Sequence, residues 1–419
     1  MDLFAGCGGL SLGLEQAGFT PVFVNELTQD AMNTYLLNRL EHYPWLQENK
    51  EHDVKELVKN PYLIEGALAR MSKEKSVTDI DLLVGGPPCQ GYSGIGHRRS
   101  YAVDKKQLPA NFLYEDMAFL IHLVQPKIFM FENVRGLLNA RWTSDGKKGE
   151  IWEDVCDTLS AVPGYHFETA LVYAKDYGVP QNRPRILGVG IRKDVYRPQT
   201  GTVANGYLPE PTGGYPSIEG LFSDLEDENY LGGPTTRYPS AAKSDIQKLL
   251  RRDPTTGRVR AKGSPLTEHE YSKHSEKIVA KFEAIIESGG NIPHNMRTKK
   301  FAQRLLRREW GPEGPNITAT SLPDDYVHYC QPRSLTVREW ARLQMFPDWY
   351  QFSGKRTTGG LRRAGNPQKG VFDREAPKYT QIGNAVPVRL AEVAGRHFID
   401  ILNRSSGIIS PKRGNVKLS

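Results

Sequence analysis

The feature that most constrains the fold is an alternation of short apolar runs with amphipathic stretches over the first 192 residues. Runs of this length, rich in β-branched and aromatic residues, are typical of buried strands, and the segments between them have the spacing of helices. The runs are PVFVNE, DLLVGG, KIFMFENV, ALVYA and RILGVGI. Because strands buried on both faces alternate with helices in this way, we predict an α/β fold with a mostly parallel sheet covered by helices on both sides.

The pattern changes after residue 192. From about residue 193 to residue 332 the sequence is charged and interrupted by Pro and Gly, with one helix predicted at SEKIVAKFEAIIESGG. The stretch YTQIGNAVPVRLAEVAGRHFIDIL then predicts a final helix after Pro387 that packs back on the first domain. At 419 residues the chain is long enough for two domains, so we interpret the irregular segment as a separate module.

The composition argues against two broad classes of protein. No stretch approaches the roughly 18 consecutive apolar residues of a membrane helix, and MDLFAG has no basic region ahead of an apolar core, as a secretion signal would have. The four cysteines lie far apart and form no Cys-x-x-Cys pair, which argues against a zinc site and a disulfide framework. We therefore expect an intracellular protein without a metal site, in which any special cysteine is special for its reactivity.

The basic charge of the chain is local. Between Arg237 and Arg308, 17 Lys and Arg stand against 7 Asp and Glu, a surplus of 10, whereas the whole chain carries a net charge of +7. Two runs supply much of the surplus, at Lys248 to Lys262 and at Arg297 to Arg308. Such runs are either solvated faces or nucleic-acid contacts, and composition alone leaves both interpretations open.

A candidate nucleotide site lies at the N-terminus. DLFAGCGGLSLGLEQAGF indicates a short strand, a glycine-rich turn and a helix, whose first amides can hold an anionic group. Glu26, at the end of PVFVNE and 20 residues after Gly6, stands where a nucleotide-binding sheet places an acid that accepts ribose hydroxyls. A glycine-rich turn can also be purely structural, and an adenosine site alone does not separate a nicotinamide dinucleotide from S-adenosylmethionine.

Cys89 follows two prolines at the end of DLLVGG. Pro87 and Pro88 stiffen the loop and would hold the cysteine at the carboxyl edge of the sheet, where open α/β folds bind ligands. A free cysteine is most often a small buried hydrophobe. The following QGYSG is typical of an open loop and favours a reactive thiolate instead.

Two further groups of polar residues adjoin predicted strands. Glu132 and Asn133 end the run KIFMFENV, so the carboxyl would emerge at the same sheet edge as Cys89; the alternative is a capping or salt-bridged acid. In QNRPRILGVGI, Gln181, Arg183 and Arg185 alternate and would share one face of an extended chain. Alternating arginines suit recognition of phosphate or carbonyl oxygens, although a solvent-facing edge would have the same pattern.

Six motifs resemble, in order and spacing, those of the DNA (cytosine-5) methyltransferases. They span Asp2 to about Leu390 and leave only the segment between QNRPR and RSLTVRE unmatched in detail, where that family carries its variable target-recognition region. The motifs are DLFAGCGGLSLG, GGPPCQGYS, FENVRGLL, QNRPR, RSLTVREWARLQMFPD and YTQIGNAVPV. The resemblance implies a Rossmann-like S-adenosylmethionine-dependent methyltransferase sheet, formed by residues 1–192 and 379–419, with a smaller, irregular target-recognition domain at residues 193–378.

The resemblance also implies roles for the residues that match the motifs. The implied methyl-donor site comprises Phe4, Ala5, Gly6, Gly8, Gly9, Leu10, Glu26, Leu27, Asp53, Pro87, Leu113, Asn384 and Val386. The implied catalytic residues are the nucleophile Cys89, the acid Glu132, and the nucleotide-contacting Arg183 and Arg185. The implied substrate-binding residues are Gln90, Ser93, Asn133 and Gln181.

These residue types suit methylation of cytosine. C5 of the ring is too electron-poor to attack a methyl sulfonium, so a thiolate must first add to C6, and Cys89 would supply that electron pair. A neutral Glu132 that hydrogen-bonds N3 and N4 would relieve the charge left by the addition. C6 is shielded in a stacked duplex, so the base must swing out, and the basic surplus between Arg237 and Arg308 would help to offset that cost.

The sequence departs from the family pattern at two places. Leu27 follows Glu26 where a large aromatic side chain often stacks on the adenine. The segment from Lys355 to Lys378 lengthens the link between the last two motifs, and its 7 basic and 2 acidic residues suggest extra contacts with the DNA backbone.

Two other function classes fit the sequence less well. An RNA cytosine-5 methyltransferase would lack the long recognition segment and carry a Cys-Phe-Thr signature, and a catalytically silent DNA-binding protein would have lost Cys89, Glu132 or the donor turn. We therefore expect a monomeric, sequence-specific DNA methyltransferase of the prokaryotic restriction-modification type. It would use S-adenosylmethionine and double-stranded DNA, work in the cytoplasm at the nucleoid, have no membrane partner, and have a cognate restriction endonuclease as a functional partner.

Overall fold

A seven-stranded sheet forms the centre of the molecule, with the strand order β3-β2-β1-β4-β5-β7-β6. The structure is a computed structural model that describes residues 1–88, 108–198, 201–297, 303–311, 314–319, 323, 325–358 and 375–406. The strands of the sheet are β1 (Asp2–Leu3), β2 (Val24–Asn25), β3 (Lys50–Glu51), β4 (Leu82–Gly85), β5 (Ile128–Val134), β6 (Tyr165–Tyr173) and β7 (Pro184–Arg192). A separate pair of parallel strands consists of β8 (Arg304–Leu305) and β9 (Tyr326–Val327).

The sheet is mostly parallel, as the sequence predicts. Strands β3, β2, β1, β4 and β5 are parallel neighbours, and β7 runs antiparallel between β5 and β6. The strand order reverses at β1 and β4, so the turns that follow these two strands flank the crevice where open α/β sheets bind ligands. The glycine-rich turn follows β1, and the loop toward Cys89 follows β4.

The α-helices in the described part of the chain connect the strands and cover the sheet. They are α1 (Gly9–Ala17), α2 (Gln29–Leu37), α3 (Val54–Lys59), α4 (Tyr62–Lys75), α5 (Leu113–Val124), α6 (Glu150–Ser160), α7 (Ile218–Phe222), α8 (Asp245–Leu250), α9 (Glu276–Glu287), α10 (Val337–Leu343), α11 (Lys378–Asn384) and α12 (Val388–Ser405). None of these helices is both long and apolar enough to cross a membrane.

Alternating side chains of the central strands build two apolar cores. Leu82 and Val84 of β4 belong to the core on one face of the sheet, and Leu83 belongs to the core on the other face. In β5, Ile128 and Phe129 divide in the same way. Burial on both faces explains why these strands appear in the sequence as continuous apolar runs.

Both helices predicted in the second half of the chain are present. The charged segment contains α9, and α12 packs on α1, which follows the first strand of the central sheet, as we expected for the tail. Small residues allow that contact, since a Cβ on Gly13 would lie 2.2 Å from the carbonyl oxygen of Val388. The packing of α12 therefore fixes the position of the helix that follows the glycine-rich turn.

Helix α10 is buried although three of its residues are charged. Arg342 donates to Asp224 at 2.6 Å and to Asp348 at 2.6 Å, and all three side chains are inaccessible to solvent. Arg333 and Glu339 form a second buried pair at 2.7 Å. Ionic contacts therefore join α10 to the segment that contains Asp224. The start of the recognition domain at residue 193 stays a prediction.

Candidate active site

The turn after β1 has the backbone conformation that its glycines suggest. Gly6 has a φ of +57° and Gly8 a φ of +84°, in the left-handed region where a Cβ is unfavourable. Phe4 also has a φ of +57°, which is uncommon for a residue with a side chain and is typical of functional turns. The turn then enters α1 at Gly9.

The three glycines of the turn differ in their surroundings. A Cβ on Gly8 would lie 2.7 Å from Nη1 of Arg39, and one on Gly9 would lie 2.5 Å from the carbonyl oxygen of Val386. Close packing therefore accounts for Gly8 and Gly9 without a ligand. A Cβ on Gly6 would meet no atom within 4 Å, so Gly6 borders open space that a ligand could fill.

The structure brings Glu26 to this turn, as the spacing predicts. The amide of Gly6 donates to Oε2 of Glu26 at 2.9 Å, and the amide of Thr28 donates to Oε1 at 2.8 Å. Burial raises the pKa of the Glu26 carboxyl, and the two amides oppose that shift. The carboxyl is thus held in one orientation beside the open space at Gly6.

Asn25 holds three turns together, a role that the sequence analysis missed. Its side-chain oxygen accepts from the amide of Phe4 at 3.4 Å, and its Nδ2 donates to the carbonyls of Glu51 and His52 at 2.9 Å each. Its backbone carbonyl accepts from the amide of Ala5 at 2.9 Å. A polar residue at the end of an apolar run was the available signal.

The remaining residues of the implied donor site lie in different environments. Leu27 is 70% exposed, Asp53 accepts from the amide of Lys55 at 2.9 Å at the start of α3, and Leu113 is half-buried at the start of α5. Leu10 and Val386 are buried, and Asn384 is exposed. These residues lie in or near the turns at the carboxyl edge of the sheet. We call the turns Phe4–Gly8, Asn25–Thr28 and Glu51–Asp53 the donor side of that edge.

The donor side could hold an adenosine-bearing group. Open space at Gly6 lies next to the fixed carboxyl of Glu26, which can accept hydroxyl hydrogen bonds, and Leu27 offers an exposed apolar surface. These three groups are therefore suitable for binding a ribose and a flat apolar ring. In the described residues no cluster of three His, Cys, Asp or Glu side chains could hold a metal ion.

On the neighbouring strands, Glu132 forms an ion pair with Arg185. Nε of Arg185 lies 2.6 Å from Oε1 of Glu132, and the two side chains are only 8% and 12% exposed. Burial lowers the pKa of Arg185, and the charge of Glu132 opposes that shift. The contact agrees with the structural alternative of a salt-bridged acid, and it also fixes the carboxyl at the sheet edge.

The start of the Cys89 loop lies against Glu132 and Asn133. A Cβ on Gly86 would lie 2.8 Å from Oε2 of Glu132, and Nδ2 of Asn133 donates to the carbonyl of Pro87 at 3.1 Å. Cys89, Gln90 and Ser93 lie outside the described residues. We call Gly86, Pro87, Glu132, Asn133 and Arg185 the base side of the edge.

Arg183 and Gln181 contact protein groups in this structure. Arg183 is buried and donates to the carbonyls of Ile317 at 2.8 Å, Gly383 at 2.6 Å and Ala385 at 3.1 Å. Gln181 donates to the carbonyl of Leu343 at 2.6 Å. The arginines of QNRPR are thus not on a solvent-facing edge, and the implied contacts of Arg183 and Gln181 with a nucleotide stay predictions.

Gln344 completes this buried network and was missed by the sequence analysis. Its oxygen accepts from Gln181 at 2.8 Å, and its Nε2 donates to the carbonyls of Ile382 at 2.8 Å and Ala385 at 3.1 Å. The network therefore joins β7, α10 and the GNAV turn. No local pattern indicates this role, because the partners are distant in sequence.

The cysteines in the described part of the chain are poorly suited to nucleophilic attack. Burial raises the thiol pKa of Cys7 to about 12, of Cys156 to about 11 and of Cys330 to about 12. A thiol with such a pKa is protonated near neutral pH and is a weak nucleophile. None of these three could readily take the role expected of Cys89.

The basic stretch from Arg237 to Arg308 is mixed. Arg251 is fully buried and contacts Asp224 at 3.1 Å, so it is not available to a phosphate. Other basic side chains of the stretch are exposed: Arg252, Arg258, Lys262, Arg304 and Arg307. The two interpretations of the basic runs therefore apply to different residues within them.

Comparisons with known proteins identify the family of the chain. A family model described as C-5 cytosine-specific DNA methylase matches residues 1–399. The chain is 30% identical to the Type II methyltransferase M.DdeI of Desulfomicrobium norvegicum, over 99% of this chain and 92% of the relative. It is 28% identical to the Type II methyltransferase M1.HphI of Haemophilus parahaemolyticus, over 94% of this chain and 84% of the relative.

Solved structures share the fold. An E. coli protein encoded within prophage Cp and assigned as a DNA modification methyltransferase superposes with a TM-score of 0.63 at 23% identity, over 96% of this chain and 98% of its own. The S. pombe Dnmt2 methyltransferase gives a TM-score of 0.51 at 15% identity, over 97% and 98% of the two chains. These structures show that the α/β fold is a known one, and the match over residues 1–399 shows that the chain belongs to the C-5 cytosine-specific DNA methylase family.

Proposed function

We propose that this protein transfers a methyl group from S-adenosylmethionine to C5 of a cytosine at a specific sequence in double-stranded DNA. The reaction proceeds through a transient bond between Cys89 and the base. The observation that carries this proposal is that a Cβ on Gly86 would lie 2.8 Å from Oε2 of Glu132 and that Asn133 donates to the carbonyl of Pro87. It brings the loop that leads to Cys89 and the acid that faces the base to one edge of the sheet.

The donor side binds the methyl donor. Glu26 would accept the ribose hydroxyls, Leu27 and Asp53 would hold the adenine, and the open space at Gly6 would take the remainder of the group. S-adenosylmethionine supplies an electrophilic methyl carbon on a sulfonium. Because β1 and β4 are neighbours at the switch point of the sheet, a donor held at the turn after β1 would lie beside the strand that leads to Cys89.

The base side activates the cytosine. The Cys89 thiolate adds to C6, a sulfur–carbon bond forms, and the electron pair of the C5–C6 bond moves into the ring toward N3. Glu132 donates a proton to N3. Arg185 occupies Oε1 of Glu132, so the proton is carried on Oε2, the oxygen that lies toward Gly86.

The addition is then reversed after transfer. C5, now electron-rich, takes the methyl group as the bond between that carbon and the sulfonium sulfur breaks, and the electron pair stays on the sulfur of the leaving S-adenosylhomocysteine. A water-derived base then removes the proton from C5. The electrons of that C–H bond re-form the C5–C6 double bond, and the Cys89 sulfur leaves as thiolate. Glu132 recovers its proton from N3, so the protein is unchanged at the end of the cycle.

The recognition domain, residues 193–378, holds the DNA in a cleft against the catalytic domain. Its exposed basic residues, such as Arg252, Arg258 and Lys262, bind phosphates and help to offset the few kcal/mol that extrusion of the base costs. The enzyme works as a cytoplasmic monomer at the nucleoid, with a restriction endonuclease that reads the same sequence as its functional partner.

The test is to incubate the protein with plasmid DNA and labelled S-adenosylmethionine and to map 5-methylcytosine at base resolution. We expect label in DNA and methylation at one recurring sequence. Cys89→Ala should abolish transfer and leave DNA binding intact, whereas the matched control Cys156→Ala should retain activity. Methylation by Cys89→Ala at the wild-type rate, or label in RNA but not in DNA, would refute the proposal.

A further inference from the structure

Two buried side chains outside the donor side hold the glycine-rich turn from behind. The hydroxyl of Tyr350 donates to the carbonyl of Cys7 at 2.6 Å, and Nη2 of Arg39 donates to the carbonyl of Gly8 at 3.0 Å. Nη1 of Arg39 also donates to the Tyr350 hydroxyl at 2.8 Å. Two consecutive carbonyls of the turn are therefore fixed by one pair of side chains.

The pair is itself rigid. Nε of Arg39 contacts Oε1 of Glu15 at 2.7 Å, and its guanidinium carbon lies 3.9 Å from the centre of the Tyr35 ring. Arg39 is 1% exposed and Tyr350 is fully buried, so neither can exchange its partners for water. A Cβ on Gly8 would lie 2.9 Å from the Tyr350 hydroxyl, which makes the fit specific for glycine.

This anchoring determines where two amides point, those of Gly8 and Gly9, and the amide of Gly8 donates to the carbonyl of Ala5 at 3.0 Å. In a planar trans peptide the C=O and the following N–H point in opposite directions. With the carbonyl of Gly8 directed toward Arg39, the amide of Gly9 at the start of α1 is directed away from it. The amide of Gly6, which meets Glu26, belongs to the same turn.

Tyr350 also contacts residues of the segment that is predicted to recognise DNA. Its backbone carbonyl accepts from Nη2 of Arg338 at 2.9 Å, and Nε of Arg338 donates to the carbonyl of Thr267 at 3.2 Å. Both Tyr350 and Thr267 fall within the segment predicted to recognise DNA. A side chain of that segment thus reaches the turn on the donor side.

We propose that Tyr350, together with Arg39, is a positioning residue for methyl-donor binding: it fixes the peptide planes of the glycine-rich turn through the carbonyls of Cys7 and Gly8. Tyr350 does not touch the donor. The inference rests on the proposed function, because it needs the donor to bind at this turn.

The test compares Tyr350→Phe with a matched control, Tyr165→Phe. Tyr165 is buried, and its hydroxyl donates to the carbonyl of Pro126 at 2.6 Å, so the control also loses a buried hydrogen bond from a tyrosine hydroxyl to a carbonyl, but at a site far from the turn in the chain. Tyr350→Phe loses in addition the hydrogen bond that the hydroxyl accepts from Arg39. Calorimetric titration of the full chain with S-adenosylmethionine should show a dissociation constant about tenfold higher for Tyr350→Phe and an unchanged one for Tyr165→Phe. In turnover assays KM for the donor should rise while kcat changes little.

Three results would count against the inference or its basis. If wild-type protein binds S-adenosylmethionine and Tyr350→Phe binds it equally well, the inference is wrong and the proposed function stands. If wild-type protein does not bind it, the proposed function fails and this inference with it. If Tyr350→Phe does not fold, Arg39→Lys is tested in its place, because lysine keeps a charge beside Glu15 but loses the contact with Gly8. An unchanged affinity of that variant for the donor would refute the inference.

Discussion

The donor side and the base side lie at one sheet edge, but different contacts hold their acidic side chains. On the donor side, backbone amides of Gly6 and Thr28 orient Glu26. On the base side, the guanidinium of Arg185 orients Glu132. A carboxyl that is held by backbone amides keeps its position in most single substitutions, because the amides remain. A carboxyl that is held by one side chain loses its position when that side chain changes. Substitutions should therefore cause graded losses on the donor side and steep losses on the base side.

The steepest loss among these carboxyls should follow Glu132→Gln. The amide cannot deliver a proton to N3 of the base, so we expect kcat to fall by about 10²- to 10⁴-fold with little change in donor affinity. The measurement is single-turnover methyl transfer. Glu168→Gln, the same change on β6, serves as the control and should be silent. A fall of less than about threefold in Glu132→Gln would remove the acid from the mechanism.

Arg185→Lys should come next. Lysine keeps the charge but not the position of Nε at 2.6 Å from Glu132, so the carboxyl becomes misplaced and kcat should drop by about ten- to a hundredfold. The control is Arg192→Lys at the other end of β7, where the arginine pairs with Asp79 and Asp194. Equal rates for the two variants would show that the ion pair does not position Glu132.

Much of this edge can be predicted from the sequence because strand ends and glycine turns are local signals. Apolar runs revealed five strands of the sheet, and the 20-residue spacing brought Glu26 to Gly6 correctly. Strand β3 escaped prediction because Lys50 and Glu51 are polar and pair only with the edge of β2. The antiparallel direction of β7 could not be predicted either, because a buried apolar run has the same sequence pattern in both directions.

Long-range polar contacts could not be predicted. Arg338, Glu339 and Arg342 would suggest a solvated helix face, but all three are buried. Arg338 and Arg342 contact partners far away in the chain, Thr267 and Asp224. Arg183 alternates with Arg185, which suggested a shared role, yet it donates to three carbonyls and Arg185 pairs with Glu132. The spacing of residues predicts which of them share a face of a strand, but their hydrogen-bond partners are seen only in the folded chain.

On the donor side, Glu26→Gln should have a moderate effect. The amide has one acceptor oxygen for two backbone amides and the ribose, so the dissociation constant for S-adenosylmethionine should rise about tenfold while kcat is nearly unchanged. Burial raises the pKa of Glu26, so wild-type affinity should fall as the pH is lowered through that pKa, at a higher pH than for an exposed glutamate. Titration calorimetry over a pH series measures both effects, with Glu41→Gln as an exposed control. A loss of kcat as large as that of Glu132→Gln would contradict the contrast between the two sides.

The smallest change should be a gain. Leu27 is 70% exposed beside Glu26, and an aromatic ring there could stack on the adenine. Leu27→Phe should lower the dissociation constant for the donor by about threefold and leave kcat unchanged. Weaker donor binding in this variant would place the adenine elsewhere.

The central claim is a covalent bond between Cys89 and C6 of the target base. The most direct test uses duplex DNA that carries 5-fluorocytosine at the mapped target position, together with S-adenosylmethionine. Fluorine cannot leave C5 as a proton does, so the sulfur–carbon bond should persist. We predict a denaturant-resistant conjugate of one protein and one duplex, with the DNA attached to the peptide that contains Cys89. Turnover of the ordinary duplex without any conjugate on the fluorinated one, or attachment at Cys7, Cys156 or Cys330, would contradict the account.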